Sequence, residues 1–179
     1  MPSILFTMEK IQAHILGSSV TSNSADAFSL HKKSHFGEPL GEKIQYTITE
    51  ALYLIEKEKL EILSKGKILD KGQAIKKLQK LDKRVYSKYT VFKDLRDKGY
   101  IVKTALKFGA DFRVYEKGKK PGDTHAKWIV FIDTESNKFT WQEFAAKNRV
   151  AHSTKKKLLL AILDEEGDVS YYECSWTRT

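Results

Sequence analysis

The sequence predicts two domains: an α+β N-terminal domain over residues 1–83, then an α/β C-terminal domain over residues 84–179 with a central mixed sheet flanked by helices. Three observations predict this arrangement. Helical patterns run from Thr47, which opens a capping box, to about Leu60, from about Gln73 to Leu81, and along Val85, Tyr89, Phe92 and Leu95. Beyond Tyr100 the pattern turns to short extended runs divided by glycine-rich turns. The run Trp128-Ile129-Val130-Phe131-Ile132 is apolar at consecutive positions, as a strand buried on both faces requires.

The elements follow in order. Up to about residue 45 the chain is rich in Ser, Gly and His with short apolar runs such as Ile11 to Leu16, which predicts strands and turns rather than helices. Thr47-Ile48-Thr49-Glu50 has the form of a capping box, and Ile48, Ala51, Leu52 and Ile55 continue it as a helix to about Leu60. A strand or turn through Gly66-Lys67-Ile68-Leu69 leads to a lysine-rich helix from about Gln73 to Leu81. Val85, Tyr89, Phe92 and Leu95 line one face of the next helix, stopped at Gly99. Strands are expected at Tyr100 to Lys107 and Asp111 to Glu116 about a turn at Gly109, then a loop over Gly118 to Thr124 and a central strand from Ala126 to Asp133. Thr140-Trp141-Gln142-Glu143 repeats the capping-box pattern and opens a helix. Strands Lys157 to Leu163 and Val169 to Trp176 close the chain around the acidic tip Asp164 to Asp168.

The charge balance narrows the function. Against 23 Asp and Glu stand 32 Lys and Arg, a formal net charge of +9 over 179 residues, which favours polyanions. No apolar run approaches the roughly 20 residues of a membrane span. The N-terminal Ile4-Leu5-Phe6 lacks a secretory layout, so a cytoplasmic, membrane-free protein is expected. The one cysteine, Cys174, has no partner for an internal disulfide, and no Cys/His cluster has zinc spacing. No metal or other cofactor is expected.

The stretch Arg149-Val150-Ala151-His152-Ser153-Thr154-Lys155-Lys156-Lys157 joins a predicted helix end to the apolar strand beginning at Leu158. It sets a dense cationic group at a sheet edge, where an anion can be held. The simpler reading is a solvated helix end that complements the helix dipole. A second segment, Lys107 to Glu116 followed by His125, favours the first. Tyr115, His125 and Lys156 all fall at element ends, where a rigid scaffold presents functional side chains. Together they suit metal-free RNA cleavage: a ribose 2′-hydroxyl loses a proton, the 5′-oxygen gains one, and the phosphorane charge is stabilised. The residues alone leave choices open. His152 competes with His125, and Lys155, Lys156 and Lys157 are equivalent by sequence. A strand tyrosine is most often packing, and with a reference pKa of about 10 it serves as a base only where cations favour the phenolate.

The strings Gly99-Tyr100-Ile101-Val102-Lys103-Thr104, Lys107-Phe108-Gly109-Ala110-Asp111-Phe112-Arg113-Val114-Tyr115 and Arg149 through Lys156 resemble the archaeal tRNA-splicing endonucleases. Glu50-Ala51-Leu52-Tyr53-Leu54 and Tyr89 through Arg96 resemble that family's N-terminal and linking helices, so the likeness runs from about residue 35 to the last strand. The resemblance implies excision of introns from precursor tRNA at bulge-helix-bulge motifs, leaving 2′,3′-cyclic phosphate and 5′-hydroxyl ends without metal. It implies Tyr115 as general base, His125 as general acid and Lys156 as the charge stabiliser. In the family an arginine pair clamps a bulged base; Arg149 matches one member, and Tyr171 and Tyr172 stand where the second is expected. Lys155 and Lys157 are the accompanying RNA-binding cations.

The resemblance also implies an oligomer. Asp164, Glu165, Glu166 and Asp168 resemble an acidic loop that docks in a basic cleft of another subunit. Tyr172, Cys174 and Trp176 would share one face of the last strand as a dimer seam, or pack on their own helix. A homotetramer is expected, with a heterotetramer containing a structural subunit as the alternative. Two further readings are a non-catalytic RNA-binding or structural subunit, and a metal-dependent DNA nuclease using Asp111, Glu116 and Lys119.

Overall fold

A computed structural model describes residues 9–177. The run Ile4-Leu5-Phe6 lies outside them. The chain divides into two compact units, Met1–Val85 and Tyr86–Thr179. Both combine mixed sheets with helices.

The first unit holds β1 (Ile11–Leu16), β2 (Ser19–Ser22), α1 (Ala25–Ser34), β3 (Glu38–Leu40), β4 (Lys43–Tyr46), α2 (Ile48–Glu56), β5 (Leu60–Ser64), β6 (Lys67–Ile68) and α3 (Lys71–Gln79). Its sheet runs β3-β4-β2-β1-β5-β6, parallel only between β1 and β5. Ala13, Val20, Ile44, Leu54, Ile62 and Leu78 form the fully buried centre. Gly37 takes a left-handed conformation (φ 67°), and a Cβ there would stand 2.4 Å from Ile44 Cγ2. Only glycine fits this approach. The buried Glu50 carboxylate accepts from the N–H of Gly37 and of Thr47, both at 2.9 Å, so the α2 capping box also fastens the preceding turn.

Two expectations are corrected here. Residues 25–34 form a helix where only strands and turns were expected. Ser24 caps it by accepting from the Ala27 N–H, Asp26 lies in its first turn, and Ala27 and Leu30 bury one face. The second helix ends at Glu56, short of Leu60. Glu58 enters the left-handed region (φ 58°), and the N–H groups of Glu58 and Lys59 close on Ile55 O and Leu54 O. That is a Schellman stop made without the usual glycine. Leu60 instead opens β5.

At the boundary begins α4 (Val85–Asp97), followed by β7 (Ile101–Ala105), a 3₁₀ turn (Leu106–Phe108), β8 (Ala110–Tyr115), β9 (Trp128–Thr134), α5 (Trp141–Ser153), β10 (Lys157–Leu163) and β11 (Val169–Cys174). The sheet order is β11-β10-β9-β8-β7, with β9 in the middle as its apolar run predicts. Only β9 and β10 are parallel, joined through α5; the other neighbours are antiparallel. The two faces carry different helices. Phe112 pairs with Val130 on the face where Phe92 of α4 meets Phe112 at 5.9 Å. Ile129, Leu158 and Leu160 line the other face, packed with Ala151 of α5, and Phe108 folds against the same cluster. Among the described residues no helix is long and apolar enough to cross a membrane.

Candidate active site

Three strand ends meet at one end of the second sheet. The N–H of Lys127 donates to Val114 O and the N–H of Lys157 donates to Lys127 O, each over 2.9 Å. Val114, Trp128 and Lys157 occupy one row of the ladder. The chain segments bearing Tyr115, His125 and Lys156 lie one to three residues from that row. Residues distant in sequence are thus brought to a common edge by backbone pairing alone. Tyr115 is the last residue of β8, opposite Ile101 and only 6% exposed. His125 is exposed at the end of the loop entering β9, held by the buried Ala126 beside it.

Lys156 is fixed by the way α5 stops. The helix opens with a complete Thr140/Glu143 capping box and ends with Thr154 as cap. Lys155 then takes a left-handed conformation (φ 55°), and the N–H groups of Lys155 and Lys156 close on His152 O and Ala151 O at 3.0 and 2.8 Å. This Schellman pair fixes the turn into β10. The ammonium of Lys156 donates to Thr154 O at 2.8 Å and lies 5.6 Å from the centre of the Phe108 ring. Burial, then the positive charges of Arg113 and Lys107, hold its pKa below the ordinary lysine value.

Strand alternation sets Arg113 on the same face as Tyr115, between Lys103 of β7 and Ile129 of β9. The Nε of Arg113 is sealed from solvent and has no hydrogen-bond partner. Lys103 is only 4% exposed. Sequence reading had not singled out Lys103, Lys107 or Arg113; the signal was the period-2 spacing of Arg113 and Tyr115 within the quoted string.

At the rim, Glu116 pairs with Lys127, and this partner holds the Glu116 carboxyl below its usual range. Glu173 accepts from Lys157 and, at 2.7 Å, from Trp128 Nε1, which likewise lowers its pKa. Lys157 is therefore ion-paired, whereas Lys155 and Arg149 are exposed. His152 is exposed in the last turn of α5, with its ring 4.4 Å from that of Trp176. Tyr171 donates to Asp94 Oδ2 at 2.7 Å on the α4 face, and Tyr172 is 57% exposed on the opposite face. Cys174 packs partly against the α5-side cluster, and Trp176 lies beyond the end of β11. In the acidic tip, Asp164 closes the hairpin by accepting from the Asp168 N–H at 2.8 Å; Glu165, Glu166 and Asp168 are exposed.

The two carboxylates of the metal-nuclease reading, Asp111 and Glu116, do not converge. Asp111 and Glu116 are separated by about 16 Å of extended strand and differ in parity. Asp111 accepts from the Ile132 N–H, and Glu116 is held by Lys127. Among the described residues no group of three His, Cys, Asp or Glu side chains has an arrangement suited to a metal ion.

Comparison with known proteins agrees with this architecture. Residues 85–171 match the family described as tRNA intron endonuclease, catalytic C-terminal domain, and residues 11–74 match its N-terminal domain. The chain is 40% identical over 165 residues to a tRNA-splicing endonuclease of Methanothermobacter thermautotrophicus, covering 91% of this chain and 96% of that one. It is 39% identical over 169 residues to that of Pyrococcus furiosus (94% and 97% covered), and 44% identical over 137 residues to that of Nanoarchaeum equitans (73% and 88%). The chain belongs to the tRNA-splicing endonuclease family.

Proposed function

We propose that this protein is the endoribonuclease that excises introns from precursor tRNA, cutting at bulge-helix-bulge motifs as a metal-independent RNA lyase. The observation that carries the reading is the shared sheet edge: Tyr115, His125 and Lys156 arrive there on three separate segments joined by the Val114, Lys127 and Lys157 ladder. A tyrosine, a histidine and a lysine supply the base, the acid and the cation that the reaction needs.

In this mechanism the Tyr115 oxygen takes the proton of the ribose 2′-hydroxyl as O2′ attacks phosphorus. The P–O5′ bond breaks, and His125 delivers a proton to the departing 5′-oxygen. The phosphate closes as a 2′,3′-cyclic ester and the downstream strand leaves with a 5′-hydroxyl. Lys156 stabilises the charge on the non-bridging oxygens. Its desolvated position strengthens that interaction relative to an exposed lysine. Arg149 and Lys155, both exposed on the α5 end, hold the RNA backbone and a bulged base.

Because O2′ is the nucleophile, a substrate with one 2′-deoxynucleotide at the cleavage site tests the reading. Cleavage of the all-ribose RNA with complete resistance of the deoxy-substituted linkage is expected. Hydrolysis of that linkage would indicate an external water nucleophile. Binding of both RNAs without cleavage would support a structural subunit.

A further inference from the structure

The region behind Tyr115 and Lys156 holds more positive charge than the three-residue mechanism uses. Arg113 lies two residues before Tyr115 on the same face of β8, flanked in the ladder by the buried Lys103 and Ile129. The 3₁₀ turn carrying Lys107 folds over this face, since Phe108 packs against the α5-side cluster and lies 5.6 Å from the Lys156 ammonium. The charges that act on Lys156, those of Arg113 and Lys107, are both positive. Arg113 is half-buried, and its Nε–H is sealed with no acceptor. A buried donor without a partner and cations facing cations both cost folding free energy. An anion arriving between them relieves both. The guanidinium suits a phosphate in particular, because Nε–H and a neighbouring Nη–H form a fork that matches two phosphate oxygens.

We propose that Arg113 is an anion-binding residue of the catalytic centre, its guanidinium receiving a non-bridging oxygen of the reacting phosphate beside Lys156. The assignment rests on the RNA-cleavage reading above. It adds a second, permanently charged cation to the site, one that cannot deprotonate as a desolvated lysine can.

The test uses the full chain and three bulge-helix-bulge RNAs under single turnover: the normal phosphate and the Rp and Sp phosphorothioates at the scissile linkage. The variants are R113M and R113K, with melting curves run alongside. Wild type is expected to be slowed by sulfur in one diastereomer. R113M should lose roughly 10²–10³-fold on the normal substrate, the scale for removing one oxyanion donor, and its thio effect in that diastereomer should fall to near unity. R113K should lose rate less and keep a reduced thio effect; if R113M does not fold, this variant decides. Thio effects unchanged in the folded variants would overturn the proposal, whatever the rate loss, because that pattern describes a structural residue. Absence of a thio effect in the wild type would overturn it too. Failure of the wild type to cleave the normal RNA overturns the cleavage reading itself, and the role of Arg113 with it.

Discussion

The backbone N–H of Lys156 donates to the carbonyl of Ala151 over 2.8 Å, tying the cation at the mouth of β10 to a helix residue with no exposed surface. Ala151 packs in the same cluster as Ile129 and Leu158. Lys156 therefore inherits its position from the core rather than from a mobile loop. The stop that produces this geometry is made by lysine at a position where glycine is usual.

Lys155 holds φ at 55°, a conformation that costs an L-residue about 1–2 kcal/mol relative to glycine. Lys155→Gly is therefore expected to raise stability by about 1 kcal/mol, read as a melting temperature higher by roughly 2–4 °C. Its RNA affinity should fall, since an exposed cation is lost. A lower melting temperature would contradict the account of the turn.

Lys156 has the opposite character. Burial and its cationic neighbours lower its pKa in the folded state, so the unfolded chain holds this proton more tightly. The resulting penalty is full below the folded pKa and is relieved as pH rises towards the unfolded value of about 10.4. Lys156→Met should melt above wild type at pH 7, with the gap narrowing as pH approaches that value, while cleavage is lost. A gap independent of pH would remove desolvated charge as its cause.

His125→Ala should slow cleavage by roughly 10²–10⁴-fold, the range for an acid-base group, with RNA affinity nearly kept. His152 has its ring against Trp176, and His152→Ala should cost far less rate. A larger loss in folded His152→Ala than in His125→Ala would reverse the assignment of the acid.

The acidic tip is expected to join copies of the chain. Asp164 serves the hairpin itself, so the informative variant is E165Q/E166Q/D168N with Asp164 retained. Light scattering should show a smaller species than wild type. An unchanged mass would exclude these three side chains from assembly.

Much of the second unit was legible in the sequence because its signals were local. The Thr140/Glu143 box, Gly99 after α4 and the uninterrupted apolar run of β9 each mark one element, and all three appear as expected. What stayed hidden was made by residues in unusual roles. Glu58 and Lys155 end helices in left-handed conformations that sequence rules reserve for glycine, and α1 starts from Ser24 within a stretch whose composition resembles loop. The candidate site was legible as residue types at element ends. The cations behind it were not, because Arg113 and Lys107 meet Lys156 only after β8, the 3₁₀ turn and the end of α5 have packed. Tyr171 shows the same limit. Its hydrogen bond to Asp94 spans 77 residues and commits its hydroxyl to α4.

The most direct measurement incubates the purified chain with a bulge-helix-bulge RNA in excess EDTA and analyses the product ends. Cleavage at both bulges, with 2′,3′-cyclic phosphate on the upstream fragments and 5′-hydroxyl on the downstream ones, is the predicted result. Cleavage that appears only on adding magnesium, or that leaves 5′-phosphate ends, would contradict the account.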